Sequence, residues 1–318
     1  MSTFPWGESR LKLEEHTVTV SGGHQLQLRR CYKRTDGPPV FLVAGFGQDS
    51  SLFLPNSTQA GLAPFLATAG YDVFVAELRG KGRSWPLVTR HADWGLHALI
   101  AEDIPAHLNA MAKLRPGAPQ MWGGQGLGSL LLLAAYARLD ILPAPVFSMV
   151  HFAAGRCCQL TSLDKTLRYM TWQWGCDTAA ALFGCVNAAG VGHQVHADSR
   201  LVYQQWRAWQ QSIDWLDPED GFDYRQALQR KPLPPSLYFS LRDRGLWGSV
   251  EDTRLLIEEL GPHDVRLVGV GKACGNRRNY NAETLLTHKD AVSDHFEAIE
   301  AWLYEMQHPD ATTQLRRA

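Results

Sequence analysis

The chain has no apolar run approaching the roughly 20 residues that cross a bilayer, and its first ten residues lack the apolar core of a secretion signal. A cytoplasmic protein without an integral membrane segment is therefore expected. Cysteine is sparse: Cys31, Cys157, Cys158, Cys176, Cys185 and Cys274 form no disulfide framework across 318 residues and include no C-x-x-C pair for zinc. Neither a metal nor another cofactor is expected. Charge of one sign is missing too, since 31 Lys and Arg against 32 Asp and Glu leave a net −1. That balance gives no pull toward nucleic acid or an anionic membrane. No low-complexity linker or internal repeat divides the chain, and its 45% apolar content suffices for a core. One large domain with an insertion is expected.

Residues 11–20 and 24–32 alternate apolar and polar around Ser21-Gly22-Gly23, the pattern of an antiparallel hairpin at a sheet edge. After these, short strand-like runs take over at residues 40–44, 72–78, 119–122, 145–154, 232–241 and 265–270, the first of them an apolar run of the buried, parallel type. Helical patterns separate them at 62–69, 94–111, 129–137 and 250–260, and another closes the chain at 296–306. Alternation stops over 156–231, which carries Trp172, Trp174, Trp206, Trp209 and Trp215 and reads as a largely helical inserted cap. One or two of these five tryptophans are expected to face a pocket, and the rest to fill the interior. The division expected is core at 1–155, cap at 156–231, core again at 232–307, and a frayed tail at 308–318.

The most informative absence is one oxygen. Gly124-Gln125-Gly126-Leu127-Gly128 follows an apolar strand and opens an apolar helix, as the nucleophile elbow G-x-S-x-G does, but glycine holds the serine position. A dinucleotide loop is the competing reading of Gly124-x-Gly126. It fails because the next strand, 146–154, ends without the acidic residue that would hold a ribose. Ser129 is three residues past the apex, so its side chain points elsewhere, toward a capping or solvent-facing role. Asp49, Ser50 and Ser51 are read the same way. His151, inside an apolar strand, is expected to be a satisfied core histidine.

This order of elements, with a cap inserted one strand after the elbow, resembles the α/β-hydrolase superfamily over nearly the whole chain. The lipase and esterase branches look most similar, through Leu66-Ala-Thr-Ala-Gly-Tyr-Asp-Val-Phe74, Arg79-Gly80-Lys81-Gly82-Arg83-Ser84 and Glu102-Asp103-Ile104-Pro105. The resemblance implies a mostly parallel sheet with helices on both faces. It places the acid at Asp243, the histidine at His288 and the absent nucleophile at Gly126. It assigns the oxyanion amides to Phe46 and Leu127, although the usual histidine of the preceding loop is Ala44 here.

Loss of the serine closes the acyl-enzyme route and costs on the order of 10⁶ in turnover. A residual rate of roughly 10³ to 10⁴ over water survives on an oxyanion hole and binding alone. One reading is a pseudoenzyme that binds an apolar or acyl-like small molecule, or a protein partner, under the cap. It is similar in this to non-catalytic members of the superfamily such as the N-myc downstream-regulated proteins. The alternative is an esterase-like hydrolase in which Asp243 orients His288 and the histidine activates water. Two further readings make Cys157 or Cys158 a displaced nucleophile, or Gly126 an introduced change in an active esterase.

Overall fold

The computed structural model describes residues 2–6, 9–54, 61–186, 197–242 and 245–308. Eleven strands are described: β1 (Ser2–Trp6), β2 (Ser9–Thr19), β3 (Gln25–Tyr32), β4 (Pro39–Val43), β5 (Asp72–Glu77), β6 (Gln120–Gln125), β7 (Val146–Phe152), β8 (Cys185–Val186), β9 (Asp198–Ser199), β10 (Ser236–Leu241) and β11 (Val265–Val270). Nine of them make one sheet in the order β1-β2-β3-β5-β4-β6-β7-β10-β11, and β8 pairs with β9 apart from it. Pairing is antiparallel from β1 to β5 and parallel from β5 to β11. Side chains of β4, β5, β6 and β10 are buried throughout, as expected of strands covered on both faces.

The expected hairpin forms, with Leu13 opposite Cys31 and Val18 opposite Leu26. It is not the sheet edge. Residues 2–6 add β1 outside it, a strand too short and too irregular in pattern to be read from the sequence.

Ten α-helices are found among the described residues: α1 (Leu62–Thr68), α2 (Leu96–Ala98), α3 (Ile104–Leu114), α4 (Leu127–Arg138), α5 (Leu163–Phe183), α6 (Arg200–Gln211), α7 (Tyr224–Arg230), α8 (Val250–Glu259), α9 (Thr284–Thr287) and α10 (Glu297–Gln307). Two cores result, one on each face of the sheet. Leu108 of α3, Leu130 and Leu133 of α4 and Leu256 of α8 pack on one face with Phe41, Phe74 and Trp122. On the other, Leu66 of α1 and Ile299, Trp302 and Leu303 of α10 pack with Leu42, Val75 and Phe239.

A π-helical turn, Leu99–Asp103, joins α2 to α3 and presents two carboxylates to the turn after β5. Arg79 donates from Nε and Nη2 to Asp103 Oδ1 (2.9 and 2.7 Å) and from Nη2 to Glu102 (2.8 Å), and its own amide donates to Asp103 Oδ2. The forked geometry ties residues 79–84 to residues 102–105.

Between β7 and β10 the chain forms α5, β8, β9, α6 and α7. Trp209, Trp215 and Tyr224 pack on one another with ring centroids 5.6–5.9 Å apart and join the core beside α4. No helix among the described residues is long and apolar enough to cross a membrane. Of the tail, residues 309–318 lie outside the described residues.

Candidate functional site

The turn from β6 into α4 is built on three glycines with different jobs. A Cβ on Gly124 would lie 2.6 Å from the Ser129 amide, and one on Gly128 would lie 2.3 Å from the Val43 carbonyl. These two allow strand and helix to approach. Gly126 differs: it caps α4 at φ 52°, ψ −118°, and nothing lies within 4 Å of where its Cβ would stand. Its amide donates to the Phe152 carbonyl (2.9 Å), and its carbonyl accepts from Ser129 N (3.1 Å). The apex is thus held in a conformation that only glycine adopts without strain, and it opens into space.

That space is a cavity of about 670 Å³. Gly126 and Leu127 line it from the elbow, Phe46 and Gln48 from the turn after β4, and Ala153 from the end of β7. Leu127 is the first residue of α4, so its N–H has no acceptor within the helix and remains a donor. Phe46, Leu127 and Gly126 therefore border one cavity together.

An aromatic wall faces this floor. Phe46 stacks on Trp206 (4.7 Å), Trp172 meets Trp247 edge to face (4.4 Å), and Trp172 lies 5.9 Å from Trp206. Of the five tryptophans in 156–231, Trp172 and Trp206 line the cavity, Trp174 is exposed, and Trp209 and Trp215 are core. Trp247, in the loop after β10, was not singled out from the sequence, because nothing near it marks a pocket residue.

Asp198 was also missed. It lies in β9, and its buried carboxylate crosses to the core: Oδ2 accepts from Gly47 N (2.6 Å) and Oδ1 lies 2.6 Å from Lys81 Nζ. The turn that carries Phe46 is thereby held by a residue from the segment between β7 and β10. The only sequence hint was Asp198-Ser199 ahead of a helix, since Ser199 caps α6 by accepting from Val202 N.

Asp243 lies outside the described residues. His288 follows α9, where its Nε2 meets the Arg278 guanidinium and its Nδ1 accepts from Asp290 N (3.1 Å). The cavity takes Asn281, Ala282 and Glu283 from the same loop, and His288 is not among its lining residues.

The other candidate nucleophiles have different surroundings. Ser129 is fully buried and donates to the Gly124 carbonyl (2.7 Å), which corrects its expected capping or solvent-facing role. Cys158 donates to Leu246 O, and burial pushes its thiol up to about 11 and raises that of Cys157. Cys176 stands on the cavity wall, but burial pushes it up to about 12. At neutral pH these three sulfurs are thiols, not nucleophilic thiolates.

His151 is core, yet it is not satisfied: neither ring nitrogen has a hydrogen-bond partner among the described residues, and the ring stacks on Tyr238 (4.6 Å). Burial, with His263 nearby, pushes it down to about 3, so it is neutral. His97, Asp217 and Asp220 could hold a cation by distance, but Arg138 already contacts both carboxylates (2.8 and 2.6 Å) and Tyr224 donates to Asp217. A guanidinium supplies the positive charge a metal would bring.

Sheet order, elbow and position of the cavity at the ends of the parallel strands define the α/β-hydrolase fold. Solved structures agree. An esterase of Pyrococcus furiosus matches with a TM-score of 0.57 at 12% identity, over 93% of this chain and 90% of that one. A thioesterase domain from the curacin biosynthetic pathway matches at 0.54 and 13%, over 92% and 99%. A bacterial membrane phospholipase A matches at 0.57 and 15%, over 93% and 87%. In sequence the chain is similar to triacylglycerol lipase 1 of Arabidopsis thaliana, 26% identical over 160 residues. That match spans 47% of this chain and only 39% of the lipase. No family model matches the chain.

Proposed function

We propose that this protein is a hydrolase scaffold without hydrolytic chemistry, which binds an apolar or acyl-like small molecule in the cavity above its elbow. Gly126 carries the reading. It occupies the apex in the strained backbone conformation of a nucleophile elbow, beside Phe46 and Leu127, with no side-chain oxygen and with room for one. The backbone N–H groups that the hydrolase resemblance assigns at Phe46 and Leu127 would suit a carbonyl oxygen, and the wall of Phe46, Trp172, Trp206 and Trp247 suits an apolar chain or ring. Residues 156–231 act as the cap in this reading, contributing Trp172 and Trp206 to the wall. The same reading places the protein in the cytoplasm, in keeping with its unpaired thiols.

Water activation by His288, oriented by Asp243, has less support. The imidazole Nε2 is turned to Arg278, and His288 does not border the cavity.

The test is labelling with a fluorophosphonate probe, comparing the protein with Gly126→Ser and mapping any adduct by mass spectrometry. We expect labelling of the variant alone, at the introduced hydroxyl. Labelling of the unaltered chain at another residue would overturn the proposal, as would turnover of a p-nitrophenyl acyl ester that His288→Ala abolishes in a folded protein.

A further inference from the structure

A surface helix buries its apolar side and shows its polar side to water. α5 departs from this rule. Leu163, Leu167, Met170 and Trp174 are 76, 56, 59 and 72% exposed, while Lys165, Cys176 and Ala180 of the same helix are buried. The exposed four recur at intervals of four, three and four residues and so form one straight stripe. Ala181, also exposed, continues it by a further two turns. Leu182 and Phe183, 64 and 63% exposed, close the end of the helix.

We propose that this stripe is the seam of a homodimer, in which α5 packs against α5 of a second copy across a two-fold axis. The spacing is that of helices whose side chains interlock along a common seam. A two-fold axis requires a surface complementary to itself, and a neutral apolar stripe meets that condition without pairing like charges. Leu163, Leu167, Met170 and Trp174 offer on the order of 500 Å² per copy, a large part of the roughly 800 Å² per partner of a stable interface.

Charge separates this partner from a lipid surface. A helix that lies on a membrane carries a polar face rich in Lys and Arg. α5 has only Lys165 and Arg168, and both meet carboxylates, at Asp252 (3.3 Å) and Asp164 (3.0 Å). The rows beside the stripe hold Asp164, Thr166, Thr171, Asp177 and Thr178. The other side of α5 lines the cavity through Trp172, Gly175 and Cys176, so a partner on the stripe would steady the cavity wall.

Sedimentation velocity on the full chain, beside Leu167→Glu and Trp174→Glu, tests the proposal. The unaltered protein should sediment at twice 35.5 kDa in the micromolar range, and each variant at 35.5 kDa. One buried carboxylate per copy should weaken self-association roughly 100-fold or more. Both side chains are exposed, so circular dichroism should show unchanged folding; Met170→Gln, a milder change, should shift the equilibrium about tenfold. A monomer at about 100 µM, or a dimer that persists in both charged variants, would overturn the proposal. So would a monomer that co-sediments with phosphatidylcholine vesicles and loses that binding in the variants.

Discussion

Lys81 and Asp198 form a buried ion pair, with Nζ 2.6 Å from Oδ1, and the second oxygen of Asp198 accepts the Gly47 amide beside Phe46. One carboxylate thus ties the segment between β7 and β10 to the turn after β4, which borders the cavity beside Gly126. Removing one partner of a buried pair strands the other charge away from water. Asp198→Ala should therefore cost about 3 kcal/mol, and the double variant with Lys81→Met should recover part of it. Urea unfolding of the two variants and the parent measures both effects.

The elbow glycines should respond unequally to a methyl group. Gly128→Ala drives a Cβ against the Val43 carbonyl and should cost about 3 kcal/mol, because backbone must move. Gly126→Ala meets nothing and carries only the cost of a positive φ, about 1 to 2 kcal/mol. Equal shifts of the denaturation midpoint would contradict the packing described here.

Three deeply buried histidines should make the fold sensitive to acid. Burial pushes His107 and His295 down to about 4 and His151 to about 3. In the unfolded chain each takes up a proton near its ordinary value of about 6.5, so below that pH the unfolded state holds more protons than the folded one. Stability should thus fall as pH drops from about 6.5 to about 4, by up to about 1.4 kcal/mol per pH unit for each histidine. His151 alone extends the loss to about pH 3. Thermal unfolding between pH 7 and pH 4 checks the slope, and His107→Gln should flatten it.

Gly175 lies inside α5 on the cavity wall with open space where its Cβ would be. Gly175→Ala should stabilise the protein by about 1 kcal/mol, since alanine orders into a helix at less entropic cost. Gly175→Phe should narrow the cavity and weaken binding of a neutral apolar fluorophore such as N-phenylnaphthylamine about tenfold. Titration followed by tryptophan emission would show it, because Trp172 and Trp206 share that wall.

Much of this was legible in the chain because it is local. The buried apolar runs announce the parallel strands, and the glycines of the elbow announce a turn where strand and helix nearly touch. β1 was not legible, since its pairing with β2 is a matter of backbone hydrogen bonds that five residues of mixed character do not advertise. Nor was the orphaned state of His151, because periodicity reports burial and not what the buried nitrogens meet.

By itself the sequence determined the fold class, the order of the parallel strands along the chain and the absence of an oxygen at residue 126, all of which follow from residue type and short-range spacing. Only the tertiary structure decided which distant side chains share a space. It brought Asp198 to Lys81 and Gly47, set Trp172, Trp206 and Trp247 around one cavity, turned Ser129 into the strand, and left His288 against Arg278. The reason is physical: pattern fixes which face of an element is apolar, whereas the loops that close a site are positioned by packing and buried charge between segments far apart in the chain.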